Sequence, residues 1–177
     1  MSKTLERLLA LHSSPAICGI KASNLICIDY NEDLFNEIEE LNKLYSKLKF
    51  YVLKKTESKV LILVYRKNIF EKTIFNENNI KFLKENGYDV NSVDSMLKEL
   101  KLRMNDNDFP HEIGVFLGYD LDDIKSFIEK EKSIYVGYWQ VYSNLNEKLA
   151  LFNKYTKCRN CVINLINKGY PIENFMR

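Results

Sequence analysis

The chain has 177 residues, of which 46% are hydrophobic and 12% aromatic, and this composition excludes an intrinsically disordered protein. Its 26 basic and 24 acidic residues nearly cancel, so no basic excess marks a surface for nucleic acid or for an acidic membrane. The length suits one compact domain over residues 1–177.

Leucines at helical spacing predict a first helix over Thr4–His12, which we expect Ser13-Ser14-Pro15 to stop. Glu6 and Arg7 interrupt this apolar stretch, which is also too short for a signal peptide or a membrane-spanning helix. We therefore expect a cytoplasmic protein without a membrane partner, whose four cysteines are reduced.

The next segments predict strands around a helix. Asn24–Tyr30 is typical of a strand, and Asn31 can cap a helix that runs to about Lys49. Phe50–Lys55 and Lys59–Tyr65, rich in β-branched and aromatic residues, predict a hairpin. The second arm is apolar on both faces, which indicates a central strand covered on both sides.

The remaining segments are mostly helical. The predicted elements are helices Ile69–Phe75, Asn79–Asn86 and Asn91–Met104, a polar break Asn105–Asp108, two short helices joined at Gly118, a strand Ser133–Tyr142, and a helix Glu147–Ile166 ended by Gly169 and Pro171. The fold class is therefore α+β, with about four strands in a mixed or antiparallel sheet covered by helices.

The block Phe109–Ile128 has the spacing of small, apolar and turn positions that a helix-turn-helix also shows. Its second helix, however, carries Asp120, Asp122 and Asp123, which would repel phosphate. A helical corner packed on the sheet is the favoured interpretation, and we predict no nucleic-acid partner.

Cys158 and Cys161 form a CxxC pair, and Cys18 and Cys27 could complete a four-thiolate zinc site. The nine-residue spacing of Cys18 and Cys27 does not resemble a zinc knuckle, and Cys158 and Cys161 fall within a predicted helix. We therefore predict structural thiols and no metal site. A thiolate metal or redox role stays as an alternative.

Cationic side chains beside predicted strands give the strongest binding hypothesis. Lys21 lies in a glycine-containing turn before a strand, and Arg66 follows the second hairpin strand. If these two meet His12 and His111, with Tyr142 or Tyr119 nearby, they would form a pocket for a small anion. The alternative is a set of solvated surface charges.

Histidine is the commonest general acid or base, so His111 is the candidate for proton transfer and Glu112 the candidate carboxylate. The two are adjacent in sequence, and adjacent residues on a helix point to different sides. No glycine-rich phosphate loop is present, and no cofactor follows from the sequence.

Several blocks resemble an uncharacterised bacterial family, of the domain-of-unknown-function 3793 type. The blocks are HSSPAICGIK from His12 to Lys21, Asn24-Leu25, Tyr65-Arg66, Phe109–Ile128, Gly137-Tyr138-Trp139 with Val141-Tyr142, and Cys158. The resemblance implies a fold shared over the full length and no assigned activity, so it supplies no catalytic residues. The family pattern has alanine where Cys18 stands.

The sequence thus predicts a protein that binds or acts on a small anionic molecule. The alternative is a protein-interaction module that presents the aromatic strand around Tyr135–Tyr142 or the acidic helix Asp120–Glu131. An exposed Trp139 would favour this second hypothesis, and a buried one would count against it.

Overall fold

A computed structural model describes residues 1–106 and 109–177. Its helices are α1 Lys3–Ile17, α2 Glu32–Leu44, α3 Lys67–Ile74, α4 Glu77–Glu85, α5 Val93–Arg103, α6 Ile113–Phe116, α7 Leu121–Ile128 and α8 Leu145–Asn167, followed by a short 3-10 helix Ile172–Phe175. Its strands are β1 Ser23–Asp29, β2 Leu48–Lys55, β3 Lys59–Arg66, β4 Tyr135–Val136 and β5 Gln140–Val141. The α+β class is confirmed.

The main sheet is antiparallel with strand order β1-β3-β2, so the predicted hairpin and the central position of its second arm are confirmed. Alternate side chains of β3 enter two different cores. Val60, Ile62 and Val64 pack with α1, α2 and the end of α8, whereas Leu63 and Tyr65 pack with α3 to α7. Both faces of the sheet are therefore covered, as its apolar central strand predicts.

The predicted four-stranded sheet and the single strand over Ser133–Tyr142 are both wrong in detail. The main sheet has three strands, and β4 and β5 form a separate two-stranded hairpin around Gly137-Tyr138-Trp139. The chain turns there because Gly137 lies against Phe152 of α8, where a Cβ would come 2.4 Å from the phenyl ring. Trp139, Phe152 and Tyr155 centre a third apolar cluster.

Two predicted helix ends also need correction. Helix α1 continues through Ser13-Ser14-Pro15 to Ile17, because its last turns are buried and Ser14 Oγ donates to the carbonyl of Ala10. Helix α2 is capped by Asn31 as predicted but ends at Leu44, where β2 follows at Leu48.

The early end of α2 has a local cause in the side chain of Asn42. Its amide donates to the carbonyl of Phe50 and accepts from the amide of Phe50, both at 2.9 Å. This pair of bonds fixes β2 beside the end of α2 and so favours strand over further helix. Part of the predicted break Asn105–Asp108, residues 107 and 108, lies outside the described residues. Within the described part of the chain, no helix is both long and apolar enough to cross a membrane.

We expect Gly137→Ala to lower the free energy of unfolding by about 1–3 kcal/mol, because the added methyl overpacks the Phe152 ring. Phe152 is 6% exposed and contacts Trp139 edge to face, so it has little room to move. Urea unfolding followed by the fluorescence of the single tryptophan measures the change. An unchanged unfolding midpoint would contradict the packing role assigned to Gly137.

Candidate functional site

The helical corner formed by α6 and α7 (residues 109–128, hereafter the corner) is anchored to the start of β1. Lys21 Nζ donates to the carbonyl of Leu117 at 2.7 Å, and Ser23 Oγ donates to the carbonyl of Phe116 at 2.7 Å. These carbonyls end α6 and have no partner within a helix this short. Gly118 then turns the chain at φ +69°, with Ala22 too close for a side chain.

Lys21 is buried although it carries a potential charge. Its ammonium contacts the carbonyls of Ser23 and Leu117 and lies 5.2 Å from the centre of the Tyr119 ring. Burial lowers the pKa of Lys21 to about 7, because carbonyl groups replace only part of the lost hydration. Lys21 therefore stabilises the corner through these internal contacts.

A second anchor joins the corner to α5 and its preceding loop. Glu112 Oε1 accepts from Arg103 Nη1 at 2.8 Å and from the Tyr88 hydroxyl at 3.1 Å. Arg103 also donates to Glu99 and to the carbonyl of Asn86. Burial and the Glu112 charge both raise the pKa of Tyr88, so the phenol stays protonated and donates.

A third anchor joins the corner to the aromatic hairpin. Asp123 is 1% exposed, and its carboxylate accepts from Trp139 Nε1 and from the backbone amide of Tyr142, both at 2.8 Å. Lys148 of α8 lies 3.5 Å from the same carboxylate and also pairs with Asp120. Asp120 has a lowered pKa because its bond to Lys148 and its backbone hydrogen bonds outweigh the effect of burial.

These three anchors surround a cavity of about 430 Å³ between the corner, β1 and the hairpin. Its walls are mostly apolar, and Tyr119 stacks on Trp139 with ring centres 4.6 Å apart. The lining residues are Leu25, Phe109, His111, Ile113, Gly114, Leu117, Tyr119, Asp123, Ile124, Phe127, Trp139 and Gln140. This volume and composition are typical of a site for a small organic molecule.

Polar groups collect at one end of the cavity. His111 is exposed, and its ring meets that of Phe127 edge to face at 5.0 Å. His111, Phe127 and Gln140 also line an adjacent depression of about 300 Å³, together with Lys130 and Tyr142 among others. The two spaces therefore share one mouth (hereafter the mouth), where the Tyr142 hydroxyl donates to Gln140 Oε1.

Lys130 has an unusual backbone at this mouth. Its φ of 58° lies in the left-handed region, where a residue other than glycine costs roughly 1 kcal/mol. Its amide and that of Glu131 bond back to Phe127 and Ser126, which ends α7 as a left-handed turn. Glu131 lines the same depression, so the charge there is mixed.

The structure brings only some of the predicted site residues together. His111 and Tyr142 share the mouth, and Tyr119 forms one wall. Lys21 lies behind that wall. Glu112 faces Arg103 and Tyr88 instead of orienting His111.

The other two predicted residues lie elsewhere. His12 is exposed on α1 and is absent from the cavity lining. Arg66 donates to the carbonyl of Ile17 at 2.6 Å and, through its other nitrogens, to the carbonyls of Phe175 and Arg177. Its guanidinium therefore donates to backbone carbonyls at the end of α1 and in the C-terminal segment, and it is not held for an external anion. Across the described residues, no three histidine, cysteine or acidic side chains cluster as metal ligands.

Sequence reasoning missed the Asp120–Lys148–Asp123 group and the roles of Phe109, Phe127 and Gln140. The acidic residues of α7 suggest repulsion of phosphate or an exposed face for a partner protein, and Lys148 has no local pattern that separates it from a surface lysine. Trp139 packs in the third apolar cluster and also lines the cavity. Aromatic residues on both sides of His111 were the one available signal.

Residues 9–176 match the model of the family described as "Protein of unknown function (DUF3793)", so the chain belongs to that family. This match confirms the resemblance seen in the sequence. No curated protein matches the chain, and no solved structure does.

We expect the stability of the wild-type protein to rise relative to a Lys21→Met variant between pH 7 and about pH 9, by up to ~2–3 kcal/mol at ~1.4 kcal/mol per unit. The folded pKa of Lys21 is about 7, below the ordinary 10.5, so the unfolded state binds more protons over this range. Other titrating groups cancel in the difference. Urea unfolding across this pH range tests it, and parallel stability curves for the two proteins would contradict it.

We expect Asp123→Asn to lower the free energy of unfolding by roughly 2–4 kcal/mol, since the two donors bond to different carboxylate oxygens, one of which becomes an NH2 group that cannot accept, and Lys148 loses a charge partner. Asp122→Asn is the matched control, because Asp122 is exposed in the same turn and should change stability by less than about 0.5 kcal/mol. Urea unfolding compares them. Equal effects would show that the buried carboxylate does not hold the hairpin.

Proposed function

We propose that the cavity between the corner and the aromatic hairpin binds a small amphiphilic molecule, with an apolar body inside and an anionic head at the mouth. The observation that carries the proposal is the aromatic-walled space of about 430 Å³ that opens beside His111. Binding is proposed, and no chemical step is assigned.

The apolar body would lie against Tyr119 and Trp139. Their stacked rings form a rigid wall, because Trp139 is held by Asp123 and Tyr119 lies between the Trp139 ring and nearby groups that include the Lys21 ammonium, 5.2 Å from its ring centre. Leu25, Leu117 and Ile124 supply apolar contact from the sheet and the corner. A pre-formed wall of this kind lowers the ordering cost of binding.

The head group would lie between His111, Gln140 and Lys130. Histidine, amide and lysine N–H groups all donate to a carboxylate or phosphate oxygen. The left-handed conformation of Lys130 supports this role, because glycine would fit that position at lower conformational cost. Tyr142 completes the same side of the mouth.

A protein-interaction module is the second candidate function. It is favoured by the exposed apolar side chains of β4 and the residue before it, since Ile134, Tyr135 and Val136 are 55%, 42% and 68% exposed. Trp139 is only 8% exposed, which counts against a partner surface centred on that residue.

We expect octanoate to bind the wild-type protein and change the fluorescence of the single tryptophan, which lines the cavity. His111→Ala should weaken octanoate binding by up to about fivefold, because an exposed contact to a charged group contributes about 0–1 kcal/mol. Octanol, which lacks the charge, should bind both proteins alike. Fluorescence titration and calorimetry measure the affinities.

His12→Ala is the matched control, since it removes the other histidine of the chain from an exposed site outside the cavity. Leu25→Phe should weaken both ligands because it narrows the cavity from the β1 side. If octanoate binds equally to the His111 and His12 variants, the proposed head-group site is wrong. Absence of binding by any alkyl or aromatic carboxylate tested would favour the interaction module instead.

A further inference from the structure

Two of the four thiols meet where the end of α1 packs on α8. The carbonyl of Ser14 accepts from the backbone amide of Cys18 at 2.8 Å and from Cys158 Sγ at 3.7 Å. Both cysteines are half-buried and pack beside the same apolar cluster. Cys18 caps α1 and Cys158 Sγ lies against its last turn, so the two side chains are neighbours.

The surroundings make the two sulfurs unequal. The neighbouring Cys158 side chain and the Arg66 guanidinium lower the pKa of Cys18, against the opposing effect of burial. The neighbouring Cys18 side chain, together with burial, raises the pKa of Cys158. Cys18 is therefore the more acidic thiol of the pair and the expected nucleophile.

Cys161, the other half of the CxxC motif, lies outside this pair. It is exposed, whereas Cys158 turns toward α1. Both lie in the middle of α8, well away from its N-terminus at Leu145, so the helix terminus that activates CxxC thiols elsewhere does not reach them. The position of Cys158 against the end of α1 thus favours Cys18 over Cys161 as its partner in a disulfide.

We propose that Cys18 and Cys158 are a reversible dithiol–disulfide pair that small disulfides such as oxidised glutathione convert to a bond between α1 and α8. The proposal is independent of the ligand assigned to the cavity.

The chemistry proceeds by two thiol–disulfide exchanges. The Cys18 thiolate attacks one sulfur of oxidised glutathione, forms a mixed disulfide and releases one glutathione thiolate. Cys158 then loses its proton and attacks the Cys18 sulfur, which releases the second glutathione. The protein gives up two electrons and two protons, and the small disulfide becomes two thiols.

The first exchange makes Cys158 easier to deprotonate for the second. The neighbouring Cys18 side chain and its charge are among the causes that raise the pKa of Cys158. That charge disappears when Cys18 enters the mixed disulfide, so the pKa of Cys158 falls at the moment when its thiolate is needed. Arg66 stays beside the pair because backbone carbonyls of Ile17 and Phe175 hold its guanidinium.

The test is to incubate the full chain with oxidised glutathione, block free thiols, digest without reductant and map the peptides by mass spectrometry. We expect a linked pair of peptides that contain Cys18 and Cys158, with the protein lighter by two hydrogen atoms. A link between Cys158 and Cys161, or glutathione adducts on the exposed Cys27 and Cys161 alone, would overturn the proposal.

Variants test the assigned roles. Cys158→Ala should accumulate glutathione on Cys18, Cys18→Ala should slow the oxidation of Cys158 by roughly tenfold or more, and Cys161→Ser should behave as the wild type. Circular dichroism checks that each variant folds, and the wild-type map decides the pairing even if one does not. Oxidation of the Cys161→Ser variant at less than a tenth of the wild-type rate would contradict the pairing.

Discussion

Unpaired carbonyl groups at the ends of helices are the constraint on which the arrangement of this molecule depends. Helix α6 has four residues, and the few backbone amides that follow it leave the carbonyls of Phe116 and Leu117 without a backbone donor among the described residues. Lys21 and Ser23 supply the missing donors from the start of β1. Arg66 does the same for the end of α1 and for the C-terminal segment. A carbonyl left buried without a donor would cost about 1–3 kcal/mol.

The cavity exists because the corner is held at three separate points by polar bonds. Lys21 fixes it to the sheet, Glu112 to α5 through Arg103, and Asp123 to the hairpin through Trp139. Apolar side chains alone would favour collapse of the walls onto one another, since contact area is their main source of stability. Directional bonds at fixed distances keep the Trp139 and Tyr119 rings in place while the space beside them stays open. The charged residues of the corner therefore shape the site without lining much of it.

The elements that the sequence predicts well are those set by local pattern. The Asn31 cap, the β2–β3 hairpin and the two-faced central strand all follow from residue type and spacing within a few positions. The predicted single strand over Ser133–Tyr142 was wrong because a distant contact decides its shape. Gly137 meets Phe152, and Asp123 accepts the amide of Tyr142. The early end of α2 has a similar origin in the bonds between Asn42 and Phe50.

The residues of the candidate site were also predictable only in part, because local sequence does not show which distant side chains meet. His111 and Tyr142 share the mouth, but His12, Lys21 and Arg66 do not join them. Their charges made them candidates for ligand contact, whereas the fold had already committed Lys21 and Arg66 to internal carbonyls. Residue type reveals what a side chain can donate, and only the tertiary structure reveals whether an internal acceptor has taken that donor.

Because internal hydrogen bonds already use Lys21 and Arg66, these two cations would not help to select a ligand in the proposed site. The buried side chains of Lys21, Glu112 and Asp123 bond to groups within the protein, so the head group would meet exposed donors at the mouth, with Glu131 opposing Lys130. Exposed ion pairs contribute about 0–1 kcal/mol, whereas removing apolar surface from water contributes ~25 cal/mol per Å². A body that fills the aromatic-walled space would therefore supply most of the affinity, and the mouth would set its direction. Ligands would be distinguished first by the shape of the apolar body and only second by the chemistry of the head.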